Sequence, residues 1–524
     1  MLNLQFQVNL EANNSYSITD TRELLGKEET LLLLEELSSP LNLSNGTVGI
    51  ILAAGHGKRI KSEKSKMLHE IWGVPTVLRV RQALEQGLGK SSQLIVVGVK
   101  AEEVARSVGK KENLKFVFQE EQIGTGDAVC IAMNNLEESE VDYDVFIVPG
   151  DMGLIDGDTI SGFKDSFKNS NADMTVLTGQ YAGNPENNQY GRIIRVPKKL
   201  SDGSSAGSLE GEIVEIIEHK DILAMSFDEP FELNHKDKKF HLTKEELINI
   251  SEFNTGVFGF KAKVLNRYLR KITTDNVQGE LYVTDLIKIF NENKLIVRAA
   301  NATDSKLVEG FNVKSTLREM EAIARERVYE KLKDVITIKD RKDFFIADEV
   351  VEHILDLDSS GNSGDLLIHK GVYLGPDVHL SAGVEICDNC HLTGEVHLGR
   401  NVHISERVVM SSYPGQVIKI GDGTTVLNGN ELKGRISIGT DCLIESRVYI
   451  TGSDEYPINI GNEVHLRGVS YIFGSVIESG VKITHSVIKR KHVKYISSKE
   501  QDGEVVKLRY IIPKPEGEDA VKDL

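Results

Sequence analysis

The sequence predicts a Rossmann-like α/β domain with a mostly parallel sheet, followed by a β-helix built from hexapeptide repeats. Two observations lead to this prediction. Over residues 47–330, apolar runs of strand length alternate with helix-like segments, which is typical of α/β domains. From about residue 365 an apolar residue recurs at every sixth position through six unbroken repeats, whereas an amphipathic helix repeats every 3.6 residues.

Composition and charge limit the class of protein. The chain has 524 residues, which is too long for one hydrophobic core and predicts two or three domains. Its formal net charge of −17 argues against a nucleic-acid partner. Its four cysteines are too few for a disulfide scaffold, and neither a membrane-spanning run nor a secretory signal is evident. We therefore expect a cytoplasmic protein that has no membrane or nucleic-acid partner.

We predict that the first 46 residues form a small N-terminal extension. Alternating apolar residues over 1–10 predict a strand, and Asp20 followed by Glu23 predicts the start of a helix. The stretch SSPLNLSNG after this helix indicates a linker. The sequence assigns no role to the extension.

The α/β domain is predicted over residues 47–313. Its two clearest helices are expected over 76–88 and 126–139. Its strand candidates are apolar runs that span residues 48–53, 93–99, 114–119, 144–151 and 173–179. Because ligands of such sheets bind beyond the carboxyl ends of the strands, we expect a binding site where these runs end.

The sixfold repeat predicts the β-helix over residues 365–497, after a helical linker at 314–364 and before a loose tail at 498–524. One coil takes about three hexapeptides, so His379 and His397 should stack on one face. An exposed histidine ladder is the first interpretation of this stack, and a metal or acyl-transfer site is the second. The pair Cys387 and Cys390 has metal-ligand spacing. However, Cys390 takes an inward position and no second C-x-x-C follows, which favours core cysteine over zinc.

A glycine turn and a cluster of cations follow the first strand candidate. Gly55 and Gly57 allow a tight turn whose backbone N–H groups can bind an anion, and Arg59 and Lys66 can bond to phosphate oxygens. Taken alone, G-x-G indicates a structural turn first. The dinucleotide-binding fingerprint needs a glycine at position 60, which is isoleucine here, and a Walker loop is absent.

The same stretch, LAAGHGKRIKSEKSKMLHEIWGVP, resembles the signature loop of sugar nucleotidyltransferases. It is most similar to the uridyltransferase half of bacterial N-acetylglucosamine-1-phosphate uridyltransferases. Seven further motifs agree with that family in order, namely QEEQIGTGDAV, PGDMGLI, QYGRIIR, IIEHKD, EFNTGVF, NVQGELYVTD and VEGFN. The resemblance spans residues 52–312. It implies an α/β Rossmann-like nucleotidyltransferase domain followed by a hexapeptide-repeat left-handed parallel β-helix, expected to form a homotrimer through the β-helix.

The resemblance also implies roles for residues that match the family's motifs. Arg59 and Lys66 would neutralise the triphosphate and the departing pyrophosphate, and Asp151 and Asn312 would hold Mg²⁺. The nucleotide would be bound by Leu52, Ala53, Ala54, Gly55, Gln119, Gly124 and Thr125. The sugar and its acetamido group would be bound by Gly191, Glu218 and Asn254. Three of these residues also have a plainer interpretation: Asp151 could cap a turn, Glu218 could form a surface pair with Lys220, and Asn312 could cap a helix.

The implied reaction needs these residue types. A sugar-1-phosphate oxygen attacks the α-phosphorus of UTP and pyrophosphate leaves, so catalysis rests on positioning and on charge stabilisation. A hard cation such as Mg²⁺ prefers oxygen ligands, which one aspartate and one asparagine carbonyl can supply. We therefore expect UTP, a sugar-1-phosphate and Mg²⁺ as ligands.

Several positions depart from the family's motifs. Lys58 replaces a threonine, Ser65 and Gly153 replace prolines, and Asp127 replaces a histidine, while about twenty extra residues lie near 223–247. The β-helix lacks the acetyltransferase motifs of the bifunctional members, so acetyl transfer is not expected. Two alternatives to uridylyl transfer to N-acetylglucosamine-1-phosphate stay open. One is a nucleotidyltransferase for another sugar-1-phosphate or nucleotide, and the other is a non-catalytic nucleotide-sugar-binding or assembly protein.

Overall fold

A computed structural model describes residues 18–55, 57–136, 142–227, 230–362 and 364–495 of the chain. The chain divides into two compact units, Met1–Met320 and Glu321–Leu524, and this division falls within one helix. The strand expected over residues 1–10 and the tail expected over 498–524 lie outside the described residues. The domain limits given above stay predictions.

The first unit is an α/β domain with a mixed sheet. Its helices are α1 Ile18–Leu37, α2 Thr76–Leu88, α3 Ala101–Val108, α4 Thr125–Asn134, α5 Gly157–Asn169, α6 His219–Ala224, α7 Lys244–Asn249, α8 Ala262–Leu269, α9 Asp285–Glu292 and the start of α10 Lys314–Leu332. Its strands are β1 Thr47–Ala53, β2 Glu70–Ile71, β3 Val74–Pro75, β4 Ser92–Val97, β5 Leu114–Phe118, β6 Asp144–Pro149, β7 Met174–Gln180, β8 Arg192–Arg195, β9 Ile213–Ile217, β10 Phe231–His235, β11 Lys238–Leu242, β12 Glu252–Lys261 and β13 Val297–Asn301. The five strands and two helices predicted from the apolar runs are all present.

The main sheet has the order β13-β7-β12-β6-β1-β4-β5. Strands β6, β1, β4 and β5 are parallel, so their carboxyl ends meet at one edge. Strand β12 runs antiparallel to β6 and β7, with an irregularity between Asn254 and Phe258. The buried strands read as continuous apolar runs because helices pack on both faces of the sheet. The sheet therefore places the carboxyl ends of β6, β1, β4 and β5 along one edge, in that order.

Two smaller features complete the first unit. Helix α1 lies against α3 and β5, where Leu34 enters the core and Phe116 N donates a hydrogen bond to Ser38 Oγ at 3.0 Å. The extra residues near 223–247 form the hairpin β10–β11, whose Leu233 and Phe240 pack with Leu247 of α7 in a separate small core. The same core includes residues of β8 and β9, so the insertion is folded against these two strands.

The second unit is a left-handed parallel β-helix. It holds α11 Asp348–Ser359 and three parallel sheets of short strands. In chain order the strands are β14 Thr337–Ile338, β15 Phe344–Ile346, β16 Leu367–Ile368, β17 Val372–Leu374, β18 Val378–His379, β19 Glu385–Ile386, β20 His391–Thr393, β21 Glu395–Leu398, β22 His403–Ile404, β23 Val409–Ser411, β24 Val417–Ile420, β25 Thr425–Val426, β26 Glu431–Gly434, β27 Ile436–Ile438, β28 Leu443–Ile444, β29 Val448–Gly452, β30 Ile458–Ile460, β31 His465–Arg467, β32 Ser470–Phe473, β33 Val476–Ile477, β34 Lys482–Thr484, β35 Val487–Lys489 and β36 His492–Val493.

Each coil of the β-helix stacks on the next with its apolar residues inside. Ile368 pairs with Ile386, and Ile386 pairs with Ile404, so the sixfold repeat fills the interior with branched side chains. His379 pairs with His397, and their ring centroids lie 4.6 Å apart. The predicted stacking of these histidines is confirmed. Within the described residues, no helix is both long and apolar enough to cross a membrane.

Candidate active site

The glycine loop after β1 folds back over Lys66. Gly57 has a left-handed backbone with φ of 60°, and a Cβ added there would lie 2.8 Å from Lys66 Cβ. Ala53 and Ala54 are buried beneath the loop, Leu52 is half-buried, and Gly55 is exposed. The loop thus leaves Gly55 open to a ligand while Gly57 closes on the lysine stem.

Four predicted site residues meet where β1 and β6 end. The Lys66 ammonium donates hydrogen bonds to the Asp151 carboxylate and, at 2.9 Å, to Asn312 Oδ1. Arg59 Nη2 donates to the same Asn312 oxygen at 3.0 Å. Lys66 is buried, with 9% of its surface exposed, whereas Arg59 is exposed. The structure therefore brings together the predicted phosphate-binding cations and the predicted metal ligands, although they are up to 253 residues apart in sequence.

The donor set of this cluster fits a hard divalent cation. A carboxylate and an amide oxygen converge on one positively charged group, the Lys66 ammonium, which marks the point where positive charge is favoured. Gly310 allows this approach, because a Cβ there would lie 3.0 Å from Asp151 Oδ2. Oxygen ligands of this kind suit Mg²⁺, which keeps several waters and takes few protein ligands.

Phe311 supports Lys66 from below and was not expected from the sequence. The Lys66 ammonium lies 5.3 Å from the centroid of its fully buried ring, a cation–π geometry. The residue lies inside the motif VEGFN, but only its apolar character was visible there. The functional prediction fell on the next residue, Asn312, as a metal ligand.

The predicted base-binding residues lie at the end of β5 and the start of α4. Gln119 is buried, and its Nε2 donates to the Gly124 carbonyl at 3.2 Å and to Asp127 Oδ2 at 2.8 Å. Thr125 Oγ1 accepts a hydrogen bond from Val283 N at 3.2 Å. Asp127, which departs from the family's histidine, therefore fixes the Gln119 amide through its carboxylate.

Gly124 closes this loop against a second segment. Its φ is 126°, and a Cβ there would overlap the backbone of Leu281. The next glycine, Gly126, donates its N–H to the Leu281 carbonyl at 2.7 Å. Gly124 therefore lets the two segments approach closely, and the hydrogen bond from Gly126 holds the loop beside residue 281.

The three predicted sugar-binding residues also come together. Asn254 N donates to the Gly191 carbonyl at 2.9 Å, and Asn254 Oδ1 accepts from Gly256 N at 2.9 Å at the irregularity of β12. A Cβ on Gly191 would lie 3.0 Å from Glu218 Oε1. Burial, with help from the nearby carboxylates of Asp221 and Asp285, raises the pKa of Glu218 to about 7.

Tyr190 of the motif QYGRIIR connects this end to the segment of the cation cluster, and neither Tyr190 nor Arg192 was predicted as a site residue. The Tyr190 ring stacks on Phe253 at 4.5 Å between centroids, and its hydroxyl donates to the Gly310 carbonyl at 3.0 Å. Burial raises the pKa of the Tyr190 phenol. Arg192 is fully buried and donates to the carbonyls of Tyr190 and Asn188. The one sequence feature that could have predicted a role for Arg192 is its charge inside an otherwise apolar strand.

In the β-helix, Cys390 lies in the core as expected. It is 1% exposed, and its thiol donates to the Ser405 carbonyl at 2.9 Å. The ladder of His379 and His397 continues to His353, whose ring centroid lies 5.5 Å from that of His379. His397 also lies beside Glu395, at 3.2 Å.

Comparison with known proteins gives consistent matches. Residues 49–200 match the family described as the MobA-like NTP transferase domain. The bifunctional protein GlmU of Carboxydothermus hydrogenoformans is 30% identical over 436 residues, which cover 83% of each chain. The GlmU of Geobacillus sp. is 30% identical over 405 residues, 77% of each chain. The GlmU of Acetivibrio thermocellus is 33% identical over 304 residues, covering 58% of this chain and 57% of its own.

Proposed function

Because this chain belongs to the family of GlmU bifunctional proteins and carries an NTP transferase domain, we propose that it makes UDP-N-acetylglucosamine. In the proposed reaction it transfers the uridylyl group of UTP to N-acetylglucosamine-1-phosphate and releases pyrophosphate. The observation that supports this most is the meeting of Arg59, Lys66, Asp151 and Asn312 at the ends of two parallel strands.

The glycine loop and its cations bind the triphosphate in this proposal. The exposed backbone at Gly55 faces the phosphates, while Arg59 and Lys66 stabilise the charge that develops on the departing pyrophosphate. Asp151 and Asn312 would hold Mg²⁺, which when bound supplies Lewis-acid polarisation of the phosphate oxygens. Lys66 would then turn from these two oxygens to the phosphates, a change that its position between them allows.

The two reacting groups would be held in line from opposite ends. Asp127 and the Gly124 carbonyl both bind the amide nitrogen of Gln119, which leaves its amide oxygen for the base. Glu218, Asn254 and the backbone of Gly191 hold the sugar, so that its phosphate oxygen attacks the α-phosphorus as the bond to pyrophosphate breaks. The protein forms no covalent intermediate in this scheme. Its contribution is orientation and charge stabilisation.

A different sugar-1-phosphate or nucleotide is the second candidate, and two observations favour it. Asp127 replaces the family's histidine at the residue that contacts Gln119, and the hairpin β10–β11 is an insertion that follows the sugar-binding motif IIEHKD. Either change could alter what the domain accepts while leaving the cation cluster intact.

The test is pyrophosphate release by the full-length protein with Mg²⁺. UTP and other nucleoside triphosphates are each paired with a panel of sugar-1-phosphates. Release with UTP and N-acetylglucosamine-1-phosphate that is lost in Asp151→Ala but kept in Asp158→Asn, an exposed control on α5, supports the proposal. Release only with another pair moves the assignment to the second candidate. Folded protein that is silent with every pair would leave a binding or assembly role.

The relatives are named bifunctional, which raises the question of a second activity in the β-helix. We propose that this chain does not transfer acetyl groups, because the acetyltransferase motifs expected for the family are missing from residues 365–497. Consumption of acetyl-CoA in the presence of glucosamine-1-phosphate tests this. Turnover above that of protein-free controls would contradict it.

A further inference from the structure

A cluster of metal-ligating side chains lies on the β-helix, away from the residues used above. The ligand atoms of His369, Glu385 and Cys387 all lie within 4.8 Å of one another. Cys387 is nearly buried, and the two others are partly exposed. From these three side chains we propose that the β-helix binds a zinc ion.

The stacking of coils explains how distant residues form this cluster. Strand β16 pairs with β19, and the N–H of His369, just after β16, donates to the Ile386 carbonyl at 3.0 Å. His369 therefore lies one coil above Cys387, while Glu385 lies two residues before Cys387 on the same face of its strand. His369 and Glu385 lie outside the C-x-x-C pair of Cys387 and Cys390, so the sequence spacing did not reveal the cluster.

The donor set selects the class of metal. A thiolate, an imidazole nitrogen and a carboxylate oxygen together suit Zn²⁺, whereas Mg²⁺ and Ca²⁺ take oxygen ligands alone. His369 Nε2 and Glu385 Oε1 are already 3.1 Å apart. In a tetrahedral zinc site neighbouring ligand atoms lie roughly 3.3–3.7 Å apart. All three ligand atoms lie within 4.8 Å of one another, so shifts of up to about 1 Å would bring them to this spacing, and three protein ligands leave a fourth position for water.

Residues around the cluster contact its candidate ligands, as the residues around a metal site commonly do. The second nitrogen of His369, Nδ1, lies 3.5 Å from Asp388 Oδ1, and His403 Nδ1 lies 2.9 Å from the second oxygen of Glu385. Metal-binding histidines usually offer their other N–H to a carboxylate, and metal-binding carboxylates are themselves hydrogen-bonded. An isolated ion pair between His369 and Glu385 would need neither the neighbouring thiol nor these outer contacts.

Cobalt titration of the full-length protein tests the proposal without any activity readout. Chelator-treated protein is titrated with Co²⁺ in excess Mg²⁺, which fills oxygen-only sites. We expect one cobalt per chain, a cobalt–thiolate charge-transfer band, and loss of the band when Zn²⁺ is added. Cys387→Ser should abolish the band, and Cys442→Ser, a buried cysteine elsewhere in the β-helix, should keep it.

Further variants keep the test decisive if Cys387→Ser does not fold. His369→Ala, at a partly exposed position, should weaken Co²⁺ binding by more than about 100-fold, since outer-shell changes alone cost about 10–100-fold. Asp388→Asn should fall within that outer-shell range. Folding is checked by circular dichroism and thermal unfolding. Absence of the thiolate band from folded wild-type protein, its survival in folded Cys387→Ser, or an unchanged Co²⁺ affinity in folded His369→Ala would overturn the proposal.

Discussion

Replacing Gly57 with alanine tests whether the glycine loop positions Lys66. Gly57 has φ of 60° and ψ of 30°, in the left-handed region that favours glycine. An added Cβ would lie 2.8 Å from Lys66 Cβ, and ordinary contacts begin at 3.4 Å. The lysine stem, or the loop that covers it, must therefore move by about 0.6 Å, which is the difference between these two distances.

The structure separates two consequences of this substitution. The left-handed backbone costs an alanine about 1–2 kcal/mol of stability. The displacement acts on an ammonium that is held by Asp151 and Asn312, and a misplacement of about 1 Å in a catalytic group can lower the rate by about 100-fold. We therefore expect kcat for pyrophosphate release to fall by about 10- to 100-fold in Gly57→Ala.

Gly46→Ala is the matched control. Gly46 has φ of 71° and ψ of 9° and precedes β1, but a Cβ there would meet nothing within 4 Å. Both variants should lose similar thermal stability, and only Gly57→Ala should lose turnover. Equal losses of turnover in both, or unchanged turnover in a folded Gly57→Ala, would refute the idea that this glycine sets the position of Lys66.

Three other predictions follow from the site. Lys66→Met should lower kcat by about 100- to 1,000-fold, because it removes a preorganised cation, while Lys64→Met, at an exposed position in the same loop, should stay within about twofold. In the folded protein the pKa of Glu218 is raised from 4.5 to about 7, so folding favours the neutral carboxyl group. The stability that this group contributes is fully present below pH 4.5 and is lost as the pH rises through about 7. Thermal unfolding should therefore show Glu218→Gln gaining up to about 3 kcal/mol over wild type between pH 4.5 and 8, and a constant difference would contradict this. Tyr190→Phe removes the hydrogen bond to the Gly310 carbonyl and should cost about 1–3 kcal/mol of stability, measured by the same method.

Much of the fold could be predicted because its pattern is local. The runs that became β1, β4, β5, β6 and β7 are continuous and apolar, since both faces of the sheet are covered. The period of six in the β-helix arises because residues six positions apart occupy equivalent inward positions along each coil. The antiparallel direction of β12 was not predicted, because a strand's own sequence does not reveal the direction of its neighbours.

Contacts between distant segments explain what was missed in the candidate site. The hydrogen bond from Tyr190 to Gly310 joins residues 120 positions apart, and the contact of Phe311 with Lys66 joins residues 245 positions apart. Arg192 was visible as a charged residue in an apolar run, but its partners are main-chain carbonyls, which carry no sequence signal. The resemblance to a family predicted the residues that would touch the ligands. It did not predict the residues that position those side chains.

The arrangement of Lys66, Asp151 and Asn312 links the fold to the proposed chemistry. Two oxygen atoms from segments 161 residues apart accept hydrogen bonds from one ammonium. In the proposed reaction Asp151 and Asn312 would hold Mg²⁺, and Lys66, released from their oxygens, would pair with the triphosphate instead. Metal and nucleotide would therefore each favour the binding of the other, through exchange of partners at one buried lysine. This coupling requires a lysine stem held in place, and Gly57 and Phe311 on either side of it provide that support.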